Sequence, residues 1–225
     1  MTYVELQATT HFSFLRGVSS PEELFSAARL LGYHALGVTD RNSVGGLVRS
    51  LVAADQTGMR LVAGCRLDLE EGHSLLVWPE DRTAWSRLTR LLSIGKARAD
   101  PQHGEKGQCK LFWEDVDAWS DGLVAALVTD DDEDPAPALA QVRDIFGERA
   151  HLALTYRRRP GDKRRLHALD QLARHHGVTP LATGDVLYDS PDKRLLQDVV
   201  TAIRNKCTVD DLGFRRERYA DRHLK

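Results

Sequence analysis

Short apolar runs alternate with amphipathic stretches along most of the chain, and that alternation predicts strands followed by helices. Residues 3–8 read as a strand. Ser20, Pro21 and Glu23 then mark a helix start: a Ser N-cap, Pro at the first helical position, and a Glu placed to reach back as a capping box. Leu24, Phe25, Ala28 and Leu31 share one face of this helix, and Gly32 supplies its stop. The unit repeats, with a strand at 35–39, a helix at 44–54 closed by Gly58, and a strand at 61–67. Residues 74–78 read as an apolar strand, and 83–92 as a helix turning Trp85, Leu88, Leu91 and Leu92 inward. The polar, Gly-containing stretch 95–108 reads as a loop. Strands at 123–128, 151–156 and 180–183 and helices at 138–146, 166–175 and 193–205 complete the pattern.

Six or seven strand-then-helix units point to a parallel α/β architecture, and periodicity alone does not choose between a closed barrel and an open sheet. In both, function belongs at the C-terminal ends of the strands, where loops converge. Those ends carry Gln7, Thr9, Asp40, Arg41, Arg66, Arg157 and Asp185, a polar ring with several arginines.

Composition narrows the class. With 31 Lys and Arg against 33 Asp and Glu, the chain does not bind nucleic acid through overall basicity. Cys65, Cys109 and Cys207 are widely spaced and fit neither a disulfide framework nor a CxxC zinc site, so the expected compartment is a reducing one, the cytoplasm. No apolar run reaches the ~18–20 residues of a membrane span. The N-terminus has no basic region followed by an apolar core, so neither a secretory signal nor a membrane partner is expected.

A family likeness rests on several phrases taken in order. Phe12-Ser13-Phe14-Leu15-Arg16-Gly17 is followed by Pro21-Glu22-Glu23-Leu24, and then by Ala35-Leu36-Gly37-Val38-Thr39-Asp40. Arg159-Pro160-Gly161-Asp162, Ala182-Thr183-Gly184-Asp185-Val186, Leu196-Gln197-Asp198-Val199 and the end Arg222-His223-Leu224-Lys225 continue the series. Together they resemble the PHP (polymerase and histidinol phosphatase) domain of bacterial C-family DNA polymerases related to the DNA polymerase III alpha subunit, closest to the error-prone, lesion-bypass branch. The resemblance implies a distorted (β/α)7 PHP-type barrel over residues 1–210, with 211–225 starting the connection to a polymerase core. It implies a longer parent that works in DNA repair and translesion synthesis, with Mg²⁺ in the core and no cofactor in this fragment. The implied partners are that core, DNA through the parent, and DNA repair proteins.

Active PHP domains hold divalent metals on His, Asp and Glu side chains at the strand ends, where metal lowers the pKa of a bound water and polarises a phosphate. Carried over residue by residue, those ligand positions fall on Gln7, Thr9, Arg16, Arg41, Arg66, His73, Arg157, Asp185 and Leu187. Only His73 and Asp185 keep ligand chemistry, and arginine cannot ligate. The expectation is a vestigial, metal-free site without catalytic residues, and a domain with a structural role. An active phosphoesterase and a nucleic-acid-binding accessory domain are the alternatives. Arg16, Arg41 and Arg66 could pair with Asp185 and Asp40, form an anion pocket, or point to solvent.

Other features have simpler readings. The acidic run 130–134 reads as a solvated loop, and the basic stretches 157–159 and 163–165 as either a phosphate track or a helix-start surface. His175 and His176 suit a helix C-terminus, Cys65 a buried thiol, and the four tryptophans a core.

Overall fold

Ser20 caps helix α1 (Pro21–Leu30) as its sequence requires: the Ser20 side chain accepts from the Glu23 N–H, and the Glu23 carboxylate accepts from the Ser20 N–H at 2.8 Å. In the computed structural model, which describes residues 3–99, 108–129, 134–216 and 221–225, this helix follows the first of seven strands. The strands are β1 (Glu5–Ala8), β2 (Ala35–Arg41), β3 (Arg60–Asp68), β4 (Ser74–Pro79), β5 (Leu123–Val128), β6 (Ala150–Thr155) and β7 (Thr179–Thr183). They form one sheet in sequence order. Just beyond β7 the sheet curls back on β1: the Thr9 N–H donates to the Val186 carbonyl at 2.8 Å, and the Val186 N–H to the Gln7 carbonyl at 2.9 Å. The result is a nearly closed, distorted seven-stranded barrel.

β4 departs from the all-parallel expectation and runs antiparallel to both β3 and β5. Only residues 69–73 join β3 to β4, with Gly72 at φ 91°, and so short a connection permits only a hairpin. The other helices are α2 (Leu47–Thr57), α3 (Arg82–Ala99), α4 (Trp113–Trp119), α5 (Ala136–Phe146), α6 (Asp162–His175) and α7 (Arg194–Arg204). The loop expected from residue 95 is corrected here, because α3 continues through Gly95 to Ala99. A Cβ at Gly95 would lie 2.5 Å from the Cys109 sulfur and 2.7 Å from Leu111. This glycine therefore serves close packing, not a break. Helix α4 gave no periodic signal; the Asp115 carboxylate starts it by accepting from the Phe112 N–H at 3.0 Å.

Side chains alternate across the strands. Leu76, Trp78, Ala126 and Ala153 fill the barrel interior with Leu6, Val62, Val124 and Leu181. Leu75, Val77, Ala125 and Leu127 face outward into the layer made with α3, α4 and α5. A second layer packs α1 and α2 on β1 and β2 through Leu24, Phe25, Leu36 and Val38. Each fully buried Leu or Phe contributes about 1.5–3 kcal/mol. The end of the chain joins this second layer: the Leu187 N–H donates to the Arg222 carbonyl at 2.9 Å, and Leu224 is buried. The segment read as an exit from the barrel thus returns to it at residues 221–225. Residues 130–133 of the acidic run lie outside the described residues. Among the described residues, no helix is long and apolar enough to cross a membrane.

Candidate functional site

Backbone strain marks one end of the barrel. Among the described residues, five other than glycine have positive φ: Leu15, Asn42, Arg158, Asp185 and Lys206. Three of them adjoin Arg16, Arg41 and Arg157, and a fourth is Asp185 itself. All four lie in the loops that follow the C-terminal ends of β1, β2, β6 and β7, where sequence reasoning places the site. A bulky residue such as Leu15 at φ 57° is held there only by its surroundings.

Asp185 forms the centre. It is 2% exposed. It accepts from Gln7 Nε2 at 3.0 Å, Arg157 Nη2 at 2.6 Å and Arg222 Nη2 at 2.5 Å. Burial alone would raise its pKa, but the guanidiniums of Arg222, Arg157 and Arg66 outweigh burial and hold it at about 2. A second carboxylate, Asp68, accepts from Arg41 Nε at 2.5 Å, Arg66 Nε at 2.9 Å and the Ser74 hydroxyl at 2.7 Å. Burial works against this carboxyl too, and Arg66 and Arg41 keep it below the ordinary range.

These partners correct the pairing expected for the arginines. Asp185 takes Arg157 and Arg222, while Arg41 and Arg66 share Asp68, which sequence reasoning missed. Among the described residues, Asp40 binds no arginine. Its carboxylate accepts from the Thr10 N–H and hydroxyl and from the Ser13 hydroxyl, tying down the β1–α1 loop that carries Arg16. Burial, the largest effect on it, raises its pKa.

Thr9, Arg16, Arg41, Arg66, Asp185 and Leu187 line one cavity of about 90 Å³, together with Gln197, Thr201 and Arg204 of α7, Arg215 and Arg222. Arg16 and Arg204 have no carboxylate partner among the described residues; the Arg16 guanidinium makes no hydrogen bond at all, and Arg204 donates only to the Leu15 carbonyl. Burial and then the neighbouring guanidiniums lower the pKa of both, beginning with Arg204 for Arg16 and with Arg41 for Arg204. Arg41 falls to about 10 from burial and then Arg66, against the pull of Asp68, and stays charged at neutral pH.

His73 lies elsewhere. Its Nδ1 accepts from Trp113 Nε1 at 3.3 Å, and it borders a separate small pocket with Val128 and Ala138. The carried-over position therefore does not reach the mouth. Cys65 is fully buried, and burial pushes its thiol far above the ordinary value, which leaves it inert. Arg158 pairs with Asp221 at 3.5 Å and Arg165 with Asp162 at 3.4 Å, so two members of the basic stretches are engaged within the fold.

The donor set does not fit the polynuclear metal centre that the PHP fold implies. No three His, Cys, Asp or Glu residues converge among the described residues. The one carboxylate at the centre is occupied by two guanidiniums, whose charge opposes a divalent cation.

Fold and site together define a (β/α)-barrel protein with its polar constellation at the C-terminal mouth. The chain belongs to the PHP domain family, whose profile matches residues 5–175. Over 226 aligned residues, covering the whole chain, it is 54% identical to "Error-prone DNA polymerase 2" of Rhizobium meliloti (strain 1021). It is 44% identical to "Error-prone DNA polymerase" of Caulobacter vibrioides across 99% of its length. The chain spans 20% of the length of each of these relatives. Among solved structures, a Chromobacterium violaceum amidohydrolase with bound sulfate and no metal superposes with TM-score 0.61 at 16% identity, covering 82% of this chain and 87% of that one. The lesion-specific endonuclease PfuEndoQ of Pyrococcus furiosus gives 0.52 at 12% identity, covering 82% of this chain and 48% of that one. At such identities these two likenesses speak for the fold alone.

Proposed function

We propose that this chain is the PHP domain, residues 1–210, of an error-prone DNA polymerase, with 211–225 leading toward the polymerase core. In this reading it serves as a metal-free structural module packed against that core. The identity to error-prone polymerases along the whole chain supports the parentage, and the guanidinium-filled mouth supports the absence of metal. Nucleotide addition, its Mg²⁺ and the hold on DNA belong to the rest of the parent, in the cytoplasm, and DNA repair proteins would be met there.

One observation carries the structural role: α7 is amphipathic the wrong way round. Gln197, Asp198, Thr201 and Ala202 are buried against the barrel. Leu195 (66% exposed), Leu196, Val199 and Ile203 (57%) form an apolar stripe facing outward. Positions 195, 196, 199 and 203 share one helical face, and a contiguous exposed apolar face marks an interaction surface. The occupant we assign is the remainder of the parent polypeptide, because the relatives carry four-fifths of their length beyond the matched region.

Amide hydrogen exchange tests this. In the full-length gene product, α7 amides should exchange at least roughly tenfold more slowly than in the 225-residue chain. Equal protection in both would overturn the docking, and so would a dimer of the short chain that already protects α7. Elemental analysis of the purified full-length protein tests the second half by asking whether metal stays bound to the PHP domain after dialysis without chelator. Stoichiometric Zn, Mn or Fe that is lost when Asp185 is replaced would refute the metal-free reading.

A further inference from the structure

The arginines at the mouth outnumber the carboxylates available to them. Arg16, Arg41, Arg66, Arg204, Arg215 and Arg222 line the cavity, and among the described residues Asp185 is its only acidic lining residue. Asp185 already holds Arg157 and Arg222, and Asp68 already holds Arg41 and Arg66. That leaves three: the exposed Arg215, which donates to the Asn205 side chain, and Arg16 and Arg204, whose charges meet across a half-buried space. Burying like charges together is costly, and a protein retains such an arrangement where an anion offsets it.

We propose that the mouth is a binding site for a free phosphoryl anion, inorganic phosphate or pyrophosphate, held by Arg16 and Arg204 with Arg41 and Arg66 behind them. The inference rests on the reading of the mouth as free of metal, and it is independent of what covers α7.

Three observations select the ligand class. Guanidinium offers forked N–H donors that match phosphate oxygens in pairs, and the donors here converge on one volume from four elements: the β1–α1 loop, β2, β3 and α7. The cavity of about 90 Å³ is several water volumes, and far smaller than the ~300–1,000 Å³ that enclose a drug-sized ligand, so it is sized for a phosphoryl group and does not enclose a nucleoside. A DNA backbone needs cations strung along a track, whereas these point inward at a common centre. Thr9 and Thr201 add hydroxyls to the lining.

The inference is tested by calorimetry and thermal unfolding of chelator-treated, full-length protein with sodium phosphate and with pyrophosphate, against sodium chloride at matched ionic strength. Saturable binding and a rise in the unfolding midpoint of the PHP domain are expected with the phosphoryl anions alone. Arg16→Met and Arg204→Met should each weaken the affinity about tenfold or more. Arg16→Met should not lower stability in the absence of ligand, because it removes a like-charge neighbour and no ion pair, whereas Arg204→Met also gives up the bond to the Leu15 carbonyl and is read by its affinity alone. Arg49→Met, on the exposed side of α2, should change nothing. Equal stabilisation by chloride would overturn the inference, and so would an oligonucleotide that displaces phosphate with the same dependence on Arg16. Binding that appears only after Mn²⁺ or Zn²⁺ is added would overturn it together with the metal-free reading, while the exchange result at α7 would stand.

Discussion

Asp185→Ala is expected to destabilise the chain by about 3–5 kcal/mol, the penalty for removing one partner of a buried ion pair. The reason is local. The carboxylate is 2% exposed and accepts from two guanidiniums and an amide, which arrive from β1, from the segment after β6 and from the returning C-terminal segment. Without it, Arg157 and Arg222 face each other with Arg66 nearby, and the strained backbone at φ 49° loses the bonds that hold it. Arg222 also donates to the Asp185 carbonyl at 3.0 Å, so the return of residues 221–225 should loosen with the barrel seam. Asp185→Asn keeps the shape and one or two hydrogen bonds, and should cost less than the alanine. Urea denaturation of the three proteins measures both steps, and a loss below about 1 kcal/mol for the alanine would show that the cluster is solvated after all.

The same carboxylate predicts the acid limb of stability. Its folded pKa of about 2 lies below the ordinary 3.8. Its contribution is therefore complete above about 4 and fades as pH falls through 2. The shift corresponds to a contribution on the order of 2 kcal/mol. Comparing wild type with Asp185→Asn between pH 2 and 5 isolates it, since the variant lacks that slope.

The sequence reveals these features unequally. The α1 capping box and the alternating strands are local and were read correctly, because a cap spans four residues and a strand repeats every two. Gly95 misled for a physical reason: its role is contact with Cys109 and Leu111, and composition cannot distinguish a glycine that packs from one that breaks. At the mouth, the strand-end rule and the family phrases together located Gln7, Thr9, Arg16, Arg41, Arg66, Arg157, Asp185 and Leu187. The electrostatic partners were harder. Arg204 and Arg222 reach the mouth only through the placing of α7 and the chain end, which no short-range pattern encodes. Asp68 was within reach, since residues two apart on a strand share a face and Arg66 lies two before it. His73 failed because the tight β3–β4 hairpin turns it toward Trp113.

Asp40→Ala should be the second large loss, about 3 kcal/mol or more, and it should also abolish phosphate binding. Asp40, the last residue but one of β2, is 1% exposed, and its carboxylate is the acceptor for three donors of the β1–α1 loop: the Thr10 N–H at 2.9 Å, the Thr10 hydroxyl at 2.9 Å and the Ser13 hydroxyl at 2.7 Å. Each buried donor left without an acceptor costs about 1–3 kcal/mol. Ser13 in turn accepts from the Arg41 N–H at 2.9 Å, so one side chain sets the positions of both Arg16 and Arg41. The fit leaves no slack, because a Cβ at Gly46 would come within 2.5 Å of the carboxylate. Asp40→Asn retains volume and turns one acceptor into a donor, so it should fold with a smaller loss and serve for the phosphate titration. If Asp40→Asn folds and binds phosphate as well as wild type does, the loop does not need this clamp to present Arg16. If it folds but binds at least roughly tenfold more weakly, the acid near the end of β2 acts in this barrel as the positioning residue for a site of positive charge.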